Sequence, residues 1–179
     1  MAEEKKEKWL NVLAVATVIY AVCATLSTFK GGSFSTRSLL SQAQASDKWA
    51  HFQSKSMKGY LYEIQKSVLE LQAKQLTTKD KQVAEDYDKL INNFSEKISN
   101  YNQEKNNLQK EATQLETNRD EAQKQSKPFG VAVIFLQIAI LLSSIAALLK
   151  RKYVWYLGLL VGLVGLLYFA DGFFLFMKL

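Results

Sequence analysis

Three apolar stretches, Trp9–Phe29, Phe129–Leu149 and Tyr153–Phe176, constrain this chain more than any other feature. Each is close to the ~20 residues that a helix rising ~1.5 Å per residue needs to cross ~30 Å of hydrocarbon. Lipid offers no hydrogen-bond partners, so a chain crossing it must pair its backbone groups internally, and these runs are expected to be helices. A charged, Gln- and Asn-rich middle separates the first run from the second. The implied fold is an all-α membrane protein. It has three transmembrane helices, with a long antiparallel coiled-coil hairpin inserted between the first and second.

The expected boundaries follow. Residues 1–8 form a cytoplasmic N-terminus, and 9–29 the first span, read as an uncleaved anchor. Residues 30–128 form an extracytoplasmic helical hairpin with its turn near 76–81. The second span is 129–149, a cytoplasmic turn is 150–152, the third span is 153–176, and 177–179 close the chain. Lys5, Lys6 and Lys8 precede the first span, and Lys150, Arg151 and Lys152 fill the turn between the second and third. With three spans these clusters share a side, which the positive-inside rule makes cytoplasmic; loops beyond ~60 residues translocate largely regardless of their charge.

From Ser38 to Ser126 there is no proline and one glycine, Gly59. Thr77 or Thr78 can cap a second helix, Asp80 suits its first turn, and Pro128 with Gly130 marks re-entry into the membrane. The second helix carries a seven-residue repeat. One row is Tyr87, Phe94, Tyr101, Leu108, Leu115 and Ala122; the other is Ile91, Ile98, Lys105, Ala112 and Arg119. The first helix offers Met57, Ile64 and Leu71 in one row and Leu61 and Val68 in another, a spacing that makes left-handed coiled coils. Nearer the membrane these rows weaken to Ala43, Asp47, Ala50 and Ser54. Trp49 and Phe52 fall outside the assigned seam, so they are candidate contacts to neighbouring copies.

Within the spans, Ala14, Thr17, Ala21, Ala24 and Thr28 form a small-residue stripe, and Gly158 and Gly162 a close-packing pair. Such stripes let helices approach closely in lipid, within one chain or between copies. Gln137 is expected to hydrogen-bond across helices, with pore lining as the alternative. Asp171 lies near the outer end of the third span. There it is either an interfacial carboxylate paired with a lysine, with Lys178, Lys127 and Lys30 approaching that boundary, or part of a ring at a pore mouth that Thr17 and Thr28 would line.

The net charge of +6 is spread among interspersed acids and bases, so nucleic acid is not the expected partner. Cys23 stands alone, which excludes an intrachain disulfide and a cysteine-based metal cage. His51, the one histidine, has Asp47 on its helical face but no ligand set at metal spacing. No phosphate loop or nucleophile elbow is present. The chain is therefore not expected to be an enzyme or to hold a cofactor or metal. Its expected partners are the lipid bilayer, further copies of itself and an unidentified membrane or periplasmic protein.

The segment Ala21–Glu63, with "ATLSTFKGG", "STR", "QASDKWA" and "QSKS", resembles bacterial membrane proteins grouped as domain of unknown function 4337. The resemblance implies an inner-membrane location and no assigned activity. The expected function is a homo-oligomeric structural or interaction protein presenting a periplasmic coiled-coil stalk. A pore with Asp171 near its outer mouth and an accessory subunit of a larger complex are the alternatives.

Overall fold

The structure, a computed structural model, describes residues 2–75 and 81–175. It is all-helical there: α1 spans Ala2–Ala73, α2 Lys81–Leu149 and α3 Lys152–Phe174. All three are long and apolar enough to cross a membrane, which points to a membrane location. The caps expected from Thr77, Thr78 and Asp80 lie outside the described residues, as do Phe176, Lys178 and the 177–179 C-terminus. The turn between α2 and α3 is as tight as its sequence implies. Lys150 takes a left-handed conformation (φ 52°), and the Arg151 N–H reaches the Ala146 carbonyl at 3.2 Å.

Pro128 does not break the helix. It lies inside α2, which runs on without interruption. Proline removes one ladder hydrogen bond and costs about 3 kcal/mol in a helix interior. Packing next to it offsets that cost. Phe129 is fully buried, stacked near Phe34 and edge-on to Phe169 and Phe173.

The chain forms two compact units, Met1–Leu40 with Asn118–Leu179, and Ser41–Thr117. The first contains the three apolar runs. Its inner face on α2 is Phe129, Leu136 and Ser143 in one seven-residue row and Ala132, Ala139 and Ala146 in another, all 0–1 % exposed. On α3 the buried face is a glycine row: Gly158, Gly162, Gly165 and Gly172. Each missing side chain makes room for a large one. A Cβ on Gly162 would run into the Tyr20 ring, one on Gly165 would lie 2.8 Å from Leu136 Cγ, and one on Gly172 2.7 Å from Phe129 Cε1. On α1, Gly31 serves the same purpose against Phe129, and Ser126 Oγ donates to the Gly31 carbonyl at 3.1 Å. Trp9 and Trp155 bury against each other with ring centres 5.8 Å apart; Tyr156 stays exposed.

In the second unit the long-range contacts run antiparallel. Gln72 meets Tyr87, Tyr62 meets Phe94 and Tyr101, Lys55 meets Glu104, Lys48 meets Glu111, and Trp49 meets Glu116. On α2 the two rows read from the sequence are the ones that turn inward. On α1 they are not. The inward rows are Ser41, Lys48, Lys55, Tyr62 and Leu69, and Ala45, Phe52, Gly59, Lys66 and Ala73. Met57, Leu61, Ile64, Val68 and Leu71, read as seam residues, lie two positions on, about 200° around the helix. They are 68, 55, 62, 47 and 61 % exposed.

The reason is the surface that α2 presents. Its aromatics Phe94 and Tyr101 pack on the Tyr62 ring at 5.3 and 5.7 Å, and the Lys55 ammonium lies 5.4 Å over the Tyr101 ring. The lysines lay their methylene stems along the seam and carry their ammonium groups to the glutamates at its rim.

The glycine row yields a direct test. Gly165→Ala should destabilise the detergent-solubilised chain by about 1–3 kcal/mol through overpacking, because the Leu136 backbone nitrogen, 3.0 Å from the new Cβ, cannot rotate aside. Gly130→Ala, where a Cβ meets nothing within 4 Å, should be neutral or stabilising by about 0.5–1 kcal/mol. Thermal melts followed by circular dichroism check both.

Candidate functional site

Three places hold the residues that could carry function: the seam around Trp49, the polar groups inside the spans, and the open face of α1. Trp49 and Phe52 are half-buried. They lie in the seam between α1 and α2, not outside it as the sequence reading assigned them. Trp49 Nε1 donates to Glu116 Oε1 at 2.9 Å, and its ring packs edge-on to Phe52 at 5.4 Å. Lys105 sits over the Phe52 ring at 5.9 Å. Both aromatics are thus engaged within the chain, because the α1 seam is rotated from the row of large apolar residues that suggested it.

The same seam carries charge. Glu104 holds the Lys55 ammonium above the ordinary lysine value, first by hydrogen bonding and then by charge, with Tyr101 adding to it. A raised lysine pKa contributes stability at neutral pH that is lost as pH climbs through the folded value. At a solvated pair the contribution is small. Beside this seam an open groove is lined by Gln44, Asp47, Lys48, Glu111, Gln114 and Leu115, with the Lys48–Glu111 pair across it. Among the described residues no group of three His, Cys, Asp or Glu side chains is placed to hold a metal.

Inside the membrane unit the predicted stripe divides. Ala24, Gly158 and Gly162 are buried in the chain's own packing, whereas Ala14, Ala21 and Thr28 are exposed and Thr17 is half-buried. The Thr17 and Thr28 hydroxyls donate to the carbonyls of Leu13 and Ala24 at 2.8 and 3.0 Å. Their hydrogen-bonding capacity is thereby turned back onto the helix. Asp171 is 0 % exposed. It lies inside the packing of its own chain. Gln137 is the reverse case: expected between helices, it lies exposed on the outside of α2.

Gly165, Gly172 and Gly31 belong with the pair read from the sequence and were missed. The signal was there in the run "GLLVGLVGLLYFADG", where glycines recur at steps of four, three and seven, the period of one helix face.

One family profile, Domain of unknown function (DUF4337), matches residues 9–175. The chain belongs to the DUF4337 family. The match runs from the first apolar stretch through α3, so it takes in all three helices. No curated protein and no solved structure matches the chain significantly.

The seam geometry predicts the outcome of a conservative change. Trp49→Phe keeps an aromatic ring and removes the donor to Glu116. It should lower the stability of this DUF4337 member by about 1–2 kcal/mol, as expected for a hydrogen bond to a charged acceptor, in a urea titration read by circular dichroism.

Proposed function

We propose that this DUF4337 protein is a membrane-anchored structural or interaction protein that works by self-association. It presents residues 41–117 as a coiled-coil hairpin on the outer face of a bacterial inner membrane. Gln137 carries the reading. Its amide stands exposed on the outside of α2 among Ile134, Ile138 and Leu141, about 12 Å from the start of the apolar run at Phe129. Lipid tails give an amide no hydrogen-bond partner, and neighbouring transmembrane helices do. The exposed Ala14 and Ala21 support a close helix contact of the same kind. The two lysine- and arginine-rich clusters, at Lys5–Lys8 and Lys150–Lys152, support the orientation.

Native mass spectrometry of the chain ejected from lipid nanodiscs tests this reading. The expected result is a multiple of the monomer mass, with Gln137→Leu weakening association by about 1 kcal/mol, roughly fivefold. A monomer at all concentrations removes the reading, and an unrelated co-purifying chain replaces it with an accessory role. Orientation is tested separately. Protease added outside spheroplasts should cut near residues 76–81 and leave an N-terminal tag intact.

A further inference from the structure

We infer that the outer face of α1 over residues 57–71 is the docking surface for a second copy of this chain, packed parallel and in register as a two-fold pair. The inference rests on the self-association reading and identifies where that contact lies outside the apolar spans.

The observation is a helix with two seams. One faces α2 and is built of small residues, lysines and a few aromatics. The other, on the opposite side, is Met57, Leu61, Ile64, Val68 and Leu71, with Tyr60 beside it; all six are exposed. Their steps of four and three repeat every seven residues, the pattern that lets one helix pack along another with knobs in holes. This stretch lies outside the three apolar runs, where large apolar groups in a continuous row need a cover. At the fractions by which they stand clear, the six present on the order of 600 Å² per copy, near the ~800 Å² per partner of a stable interface.

The pattern selects the occupant. A heptad row is complementary to itself, and copies inserted in one membrane with one orientation bring their α1 helices together parallel and in register. In that arrangement Gln65, Ser67 and Gln72 flank the contact. These three are uncharged, and Lys58, the charged flank residue of the stretch, faces Gln53 of the other copy in a parallel pair, so like charges do not meet across the flank. The exposed face of α2 is rich in Asn and Gln, including Asn92, Asn93, Asn100 and Asn106, and between Lys81 and Lys127 its large exposed apolar residues are Val83 and Leu90, too few to match the five-residue stripe. The contact is therefore the same patch on both copies, which closes at two.

Cysteine cross-linking of the full chain in nanodiscs tests this, in a Cys23→Ser background. Ile64→Cys should give a covalent dimer under mild oxidation, and Asn100→Cys, on the polar face of α2, should not. A Leu61→Lys/Ile64→Lys double variant should weaken dimerisation on the order of 100-fold with helical content unchanged, since both residues are exposed in the single chain. If the unmodified protein is a dimer by native mass but Ile64→Cys fails to cross-link, or the double variant still pairs fully, the stripe is not the contact and self-association stands. A native mass above that of the dimer overturns the two-fold arrangement. A monomeric protein overturns both readings.

Discussion

Helices in lipid gain little from burying apolar side chains against one another, because the alternative neighbour is just as apolar. Close approach and dispersion contacts must supply the difference. In this protein that requirement falls on α3, whose glycines at 158, 162, 165 and 172 let Tyr20, Leu136 and Phe129 reach its backbone. The rest of the membrane unit follows from that. The Phe129 cluster forms around Gly31 and Gly172, and α2 stays straight enough through Pro128 to bring Ala132, Ala139 and Ala146 into the same face.

The second unit solves a different problem in water. Apolar burial is available there, yet the α1 seam is made of Ser, Ala, Gly and Lys as much as of Tyr62, Phe52 and Leu69. Tyr62 packs against the α2 aromatics Phe94 and Tyr101, and lysines close the rim against Glu104 and Glu111. The largest aliphatic groups of α1 are thereby left on the opposite side. α1 therefore carries one seam that packs on α2 and a second apolar row that faces outward.

Polar groups in the spans trade the places their sequence positions imply. Asp171, near the end of α3 where water would welcome a carboxylate, is enclosed by its own chain. Gln137, deeper in an apolar run, faces outward.

Much of this could be read from residues alone. The three apolar runs determine three helices long and apolar enough to span a membrane, because runs of ~20 apolar residues in lipid must pair their backbone groups within the segment. The α2 repeat from Tyr87 to Arg119 identifies its inward face, because there the large residues are the buried ones. On α1 the same rule selects the wrong side. Hydrophobicity marks the row from Met57 to Leu71, but the seam is set by which residues let two backbones approach and which lysines reach a glutamate on the facing helix. Those are properties of a pair of helices. The burial of Asp171 and the exposure of Gln137 are likewise rotations of a helix about its axis, and only the neighbour against which it packs decides them.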